Sequence, residues 1–155
     1  MDGAALYQRL DLSRVATAGH SCGGLEALVA GADSRVKAVV SLDSGLFADG
    51  SFGYQRSELG KLHSPALFMD GGPSDIAYTN SQENYNLSPV PSVSASHSQA
   101  GHTGFITGSQ MSEGVTVVVQ FLDFTLNGTA SARTFILGPG GLASRPNWTV
   151  RSKNF

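Results

Sequence analysis

The sequence predicts an α/β domain built on a mainly parallel sheet with helices on its faces. Three observations carry that expectation. Short apolar runs of strand length alternate with helix-forming stretches four times along the chain. Turn-forming residues gather where the runs stop. Between the first run and the first helix stands Gly19-His20-Ser21-Cys22-Gly23, a G-x-S-x-G arrangement in a strand–turn–helix setting.

Taken in order, residues 3–11 read as the tail of a helix ending at Asp11-Leu12-Ser13. Residues 14–18 form a first strand, 19–23 the turn, and about 22–31 a helix. Such a turn is tight, so small residues at Gly19 and Gly23 are expected to let the backbones pass while the serine is forced to its tip. Residues 35–42 (RVKAVVSL) form a second strand of the buried type, ending at Asp43-Ser44-Gly45. Residues 46–62 are a connection holding glycine and aromatic side chains, with a short helix around 55–62. Pro65 to Met69 is a third strand, and Asp70-Gly71-Gly72-Pro73-Ser74-Asp75 a turn by composition. A helix over 76–86 leads to a fourth strand from Val90 to His97, with a proline at its entry. Residues 110–127 make the clearest helix, with Val115, Val118, Val119, Leu122 and Leu126 placed on one face. From 128 onward, Gly138-Pro139-Gly140-Gly141 punctuates what reads as an irregular tail. The expectation is thus about four strands in one domain over 1–155, with its core at about 10–127 and a tail at 128–155.

Composition narrows the function classes. The 155 residues carry 10 Lys and Arg against 12 Asp and Glu, a formal charge of −2, with no basic cluster to neutralise phosphates, so nucleic acid is not an expected partner. Only 14% of residues are charged, which leaves Ser, Thr, Asn, Gln and Gly to cover the surface. No apolar run reaches the ~20 residues of a membrane span. Cys22 is the only cysteine, which excludes an internal disulfide and a thiolate cluster. No His-x-x-x-His or paired-carboxylate spacing points to a metal, and Gly71-Gly72-Pro73 lacks the lysine and helix of a phosphate loop. No cofactor is therefore expected. The first residues show no basic and apolar leader, so no signal peptide is visible, although sequons at Asn86, Asn127 and Asn147 hint at a secretory ancestor.

In a parallel sheet, functional groups gather at the carboxyl ends of the strands. Ser21 follows the first strand, Asp75 the third (with Asp70 competing and Asp43, after the second, more remote), and His102 the fourth. A serine hydroxyl becomes a nucleophile when an imidazole takes its proton, and the imidazole needs a carboxylate to hold its tautomer and stabilise its cation. Serine, acid and histidine at successive strand ends suit this chemistry. Asp75 is preferred over Asp70, which directly ends its strand. His63 and His97 read as structural, His20 as lining the pocket or packing under the turn, and Cys22 as a buried small hydrophobe. Phe47, Phe52, Tyr54 and Tyr78 are candidates to line an acyl pocket.

Gly-His-Ser-Cys-Gly-Gly at 19–24, Gly-Gly-Pro-Ser-Asp-Ile-Ala-Tyr at 71–78 and Ala-Gly-His-Thr-Gly-Phe at 100–105 together resemble the α/β-hydrolases, in particular the dienelactone hydrolase-like and chlorophyllase-like serine esterases. The resemblance covers roughly residues 10–127. It implies Ser21 as nucleophile, Asp75 as acid, His102 as base and the backbone N–H of Cys22 as one oxyanion donor. It also implies strands and an oxyanion loop ahead of the turn, whereas 20 residues precede Ser21 here. The fold expected from it is accordingly an N-terminally short α/β-hydrolase sheet whose first strand is an exposed edge, open to self-association. The function expected is cleavage of a small-molecule carboxylic ester through an acyl-enzyme. The alternative is an inactive α/β-hydrolase fragment serving as an interaction or scaffold module. Peptidase and acyltransferase activity would use the same residues.

Overall fold

The computed structural model describes residues 9–155. Five strands form one sheet, β1 (Val15–His20), β2 (Val36–Leu42), β3 (Ala66–Asp70), β4 (Ser92–His97) and β5 (Trp148–Lys153), and their spatial order is their chain order. β1 to β4 run parallel and β5 pairs antiparallel with β4. Among the described residues four α-helices accompany them: α1 (Cys22–Ala30), α2 (Tyr78–Leu87), α3 (Met111–Asn127) and α4 (Ala130–Leu137). The helix tail expected over residues 3–11 falls largely outside the described residues.

The apolar runs Ala38–Val40 in β2 and Ala66–Met69 in β3 follow from burial on both faces. Ala38, Val40, Leu67, Met69, Val93 and Ala95 pack into one core with Val117 and Phe121 of α3 and Ile136 of α4. Val39, Ala66 and Phe68 pack into a second with Leu25 and Leu28 of α1 and Tyr85 of α2. Each fully buried Val, Leu or Phe contributes about 1.5–3 kcal/mol. Two cores, one per face, hold the strand ends rigid.

β4 keeps a polar side. Ser92, Ser94 and Ser96 are buried, and each hydroxyl is partnered: Ser92 donates to the Val90 carbonyl (2.8 Å), Ser96 to Asp70 Oδ1 (2.6 Å), and Ser94 accepts from Gln82 (3.2 Å). α2 answers with Asn80, Ser81 and Asn84, also buried. Asn84 Oδ1 accepts from the Leu46 amide (2.7 Å) and its Nδ2 donates to the Leu46 carbonyl (2.9 Å), while Asn80 Nδ2 donates to the Gly45 carbonyl. These amides satisfy buried loop backbone that has no strand beside it. The result is a fixed loop after β2.

Two expectations are corrected here. The inward face of α3 is Gly114, Val117 and Phe121, with Val118, Leu122 and Leu126 beside it, while Val115 and Val119 are 55% and 53% exposed. Counting aliphatic residues passed over Gly114, the position that lets Phe105 approach the helix, and so rotated the stripe. Residues 128–155 are also not irregular. Gly128, with φ 69, closes α3 as a left-handed cap, α4 follows at once, and β5 adds a fifth strand. β5 was hard to read because it is an edge strand whose inward contacts come from Trp148 and Val150 alone.

Candidate active site

The turn after β1 places Ser21 in a conformation few residues adopt. Its φ and ψ are 54° and −120°, a strain that the surroundings must enforce. They do so from three sides. The Ser21 amide donates to the Leu42 carbonyl (3.0 Å), and the Ser21 carbonyl accepts from Ser44 Oγ (2.6 Å) and the Gly24 amide (2.9 Å). A Cβ at Gly19 would stand 2.0 Å from the Gly23 carbonyl oxygen, and one at Gly24 2.4 Å from Ser44 Cβ. A Cβ at Gly23 would meet nothing within 4 Å, so the backbones at 19 and 23 do pass closely, but the need for glycine falls on Gly19 and Gly24 and not on Gly23. Cys22, expected to be buried, is exposed. Its amide stands at the start of α1 beside Ser21, free of any acceptor among the described residues.

The acid and histidine loops meet by a second close approach. The Gly101 amide donates to the Gly71 carbonyl (2.9 Å), and a Cβ at Gly71 would lie 2.0 Å from the Gly101 carbonyl oxygen. His102 is thereby carried over Asp75. His102 Nδ1 lies 2.7 Å from Asp75 Oδ1 and Nε2 lies 3.0 Å from Ser21 Oγ. The Asp75 side chain is fully buried and that of His102 is 22% exposed. Burial works to raise the Asp75 pKa. Hydrogen bonds from the Ala77 amide (2.9 Å), from His102, from Asp43 and from the Gly71 amide (3.2 Å) outweigh it and hold the carboxyl below the usual range. A line of hydroxyl, imidazole and carboxylate results, with both imidazole nitrogens engaged.

The competing acids lie elsewhere. Asp70 accepts from Ser96, Gln82 (2.6 Å) and the Gly72 amide (3.1 Å), and burial raises its pKa against those bonds. It is a buried bracket between β3, β4 and α2. Asp43 is fully buried, and burial, followed by the neighbouring Asp75 and Asp70, pushes its pKa up to about 9.

A cleft of about 110 Å³ opens at Ser21, with Leu25, Phe47, Phe52, Ile76, Ala77 and His102 among its walls. Phe47 and Phe52 are where the sequence put them. Tyr78 is half-buried at the start of α2 and Tyr54 packs against the α1-side core, both outside the cleft wall. His20 is not in the wall either. Its Nε2 donates to the His102 backbone carbonyl at 2.6 Å and the two rings lie 5.0 Å apart, so it braces the histidine loop from below. Leu25 and Ile76 were missed, because a helix-interior leucine and an exposed loop isoleucine carry no signal until the turn and the acid loop are folded together. His63 is exposed, bonded to the Asp33 carbonyl (3.1 Å), and His97 is buried between Phe105 and Trp148. Among the described residues no cluster of three or more His, Cys, Asp or Glu could hold a metal ion, and no helix is long and apolar enough to cross a membrane.

No family model matches the sequence, and no curated protein sequence does. Solved structures do resemble it. An uncomplexed acylaminoacyl peptidase of Pyrococcus horikoshii matches with a TM-score of 0.65 and 16% identity, over 81% of this chain and 27% of that one. A puromycin-hydrolyzing peptidase of Mycobacterium tuberculosis matches with a TM-score of 0.56 and 20% identity, over 79% of this chain and 24% of that one. This chain therefore spans about a quarter of the length of the structures it matches. Neither match singles out the dienelactone hydrolase-like or chlorophyllase-like type that the motifs resemble. The parallel sheet, the flanking helices and these neighbours together give the chain the α/β-hydrolase fold.

Proposed function

We propose that the protein is a serine hydrolase that cleaves carboxylic esters through an acyl-enzyme, with Ser21 as nucleophile, His102 as general base and Asp75 as the orienting acid. The observation that carries this reading is the continuous line Ser21 Oγ–His102 Nε2 (3.0 Å) and His102 Nδ1–Asp75 Oδ1 (2.7 Å). Ser21 Oγ attacks the ester carbonyl carbon while His102 Nε2 takes its proton, and the buried Asp75 carboxylate stabilises the imidazolium that forms. The Cys22 N–H, without another acceptor, is placed to receive the oxyanion. Collapse of the tetrahedral intermediate expels the alcohol with the proton from His102, and water repeats the sequence to release the acid.

Ester is favoured over amide on chemical grounds. An alkoxide leaves with less help than an amine, so an ester asks less of the acid and of the oxyanion donors, each of which is worth about 10²–10³ in rate. The two neighbours, peptidases by name, support amide bonds as the second reading. The test is labelling with a fluorophosphonate beside turnover of p-nitrophenyl acetate and of a peptide p-nitroanilide. Labelling at Ser21, lost in Ser21→Ala and His102→Ala, with the ester turned over faster, is expected. Faster anilide turnover would favour the peptidase reading. A folded protein neither labelled nor active would overturn both and favour an interaction module.

A further inference from the structure

Beneath the Ser21–His102–Asp75 line lies a second carboxyl to which that reaction gives no part. Asp43 follows β2 directly, with its backbone turned to φ 46 and its amide donated to the Met69 carbonyl (2.7 Å). Its side chain is fully buried, and no side-chain donor among the described residues bonds either carboxyl oxygen, the Gly71 amide being the one donor that acts to lower its pKa. Every titratable group facing it is accounted for. From β1, His20 Nε2 stands 3.5 Å from Asp43 Oδ2 but spends its N–H on the His102 carbonyl at 2.6 Å. From β3, Asp70 is negative or neutral and its oxygens are taken by Ser96, Gln82 and Gly72. From the loop after β3, Asp75 is the neighbour that, after burial, does most to raise the Asp43 pKa. Among the described residues no lysine or arginine forms an ion pair with either carboxyl.

A fully buried site beside another carboxylate, with one backbone amide to oppose them, does not suit an ionised group. A poorly paired buried charge is among the costliest features a fold can hold. The site suits a carboxylic acid, which needs only one acceptor for its O–H. Asp75 offers it. Its Oδ1 accepts from both the Ala77 amide and His102, while Oδ2 accepts from the Gly71 amide alone. A carboxylate has about four acceptor sites, so one on Oδ2 remains.

We propose that Asp43 is a positioning residue that carries a proton and donates it in a hydrogen bond to Asp75, fixing the carboxylate that holds His102. The role in turnover rests on the hydrolase reading above. It also explains how two buried carboxyls share one site: like charges in contact cannot both ionise, so one keeps its proton. The proton stays on Asp43 to about pH 9. Above that, Asp43 becomes a second anion beside Asp75, the donor is lost and the hold on His102 loosens.

The experiment compares the wild-type chain with Asp43→Asn, which keeps an N–H donor, and Asp43→Leu, which keeps bulk without one. Asp43→Asn should hold kcat within about threefold, while Asp43→Leu loses about 10–100-fold in kcat with KM unchanged, the usual value of a hydrogen bond to a charged group. The kcat of the wild type should fall above about pH 9, and Asp43→Asn should lack that alkaline limb, a change that a purely structural role would not produce. Infrared difference spectra of wild type against Asp43→Asn should show one protonated carboxyl C=O band at neutral pH, which reads the proton without any assay and does not depend on Asp43→Leu folding. A missing band in an active enzyme, or an alkaline limb unchanged in Asp43→Asn, would overturn the Asp43 role alone. A wild type that is inactive and unlabelled would overturn the hydrolase reading, and with it any part for Asp43 in turnover.

Discussion

At the scale of single residues, the sharpest test is the hydrogen bond between His102 Nδ1 and Asp75 Oδ1 at 2.7 Å. In Asp75→Asn the side chain keeps its shape but no longer carries a charge, and it can present N–H to a nitrogen that must itself bear the proton. The wrong tautomer follows, and kcat is expected to drop about 10⁴-fold with little change in KM. Steady-state ester kinetics measure it, and a loss under tenfold would remove Asp75 from the role. Asp43 has its own signature in stability. Its ordinary pKa of 3.8 rises to about 9 in the folded chain, so the stability it allows is complete below about pH 4 and is lost as the pH rises through the folded value. Asp43→Asn removes that slope. Its melting temperature should therefore gain on the wild type steadily from about pH 4 to pH 9, and parallel curves would show that Asp43 does not titrate this way. Ser21, Asp75 and His102 were legible as candidates because residue type and position at the strand ends already express the chemistry. Asp43 was ranked behind Asp75 and Asp70 as a possible triad acid, and its relation to Asp75 was not legible. A carboxyl that keeps its proton is recognised only by what faces it, and Asp75 comes to it from the loop after β3.

At the scale of elements, the site depends on how closely three connections pass one another. Gly23 and Gly24 are adjacent in sequence and opposite in environment: a Cβ at Gly23 meets nothing within 4 Å, while one at Gly24 meets Ser44 Cβ at 2.4 Å. Gly23→Ala is expected to be neutral or to stabilise α1 by up to about 1 kcal/mol, whereas Gly24→Ala should cost about 1–3 kcal/mol through overpacking. Urea unfolding of the two variants checks the contrast, and equal effects would contradict the packing of α1 on the loop after β2. That loop also sets the cleft. Phe47 and Phe52 stand on it, and Asn80 and Asn84 of α2 pin its start at Gly45 and Leu46. The volume of about 110 Å³ admits three or four groups the size of a water or methylene, at ~30 Å³ each. Acyl chains up to about butyryl should fit, and kcat/KM for p-nitrophenyl esters should fall from butyrate to octanoate. A rise would mean that the acyl group lies elsewhere. The existence and order of the strands and helices up to residue 127 were readable from periodicity and turn composition. The partnering of buried asparagines with a loop was not, because α2 reads as a polar helix until its neighbours are known.

At the scale of the whole molecule, the question is whether residues 128–155 belong to the same cooperative unit as the sheet. The glycines at 138–141 make them look detachable in the sequence, since punctuation of that kind is what a tail shows. The packing says otherwise. Ile136 and Leu142 enter the core on the α3 side of the sheet, and Trp148 stacks on Phe105 at 5.7 Å, crosses His97 edge-on at 5.0 Å and donates to Glu113 at 2.8 Å. β5 covers β4 along its whole length, from Ser92 opposite Lys153 to His97 opposite Trp148. Without it, the strand that leads into the His102 loop would lose its outer partner. Trp148 is the only tryptophan and is 6% exposed, so its fluorescence reports on this segment, while far-ultraviolet circular dichroism reports on the helices throughout. If the segment is part of one unit, the two signals will change together in urea with the same midpoint and slope, as two-state unfolding requires. A fluorescence transition at lower urea than the dichroism would make α4 and β5 an appendage. The His102 loop would then rest on a strand held from one side only.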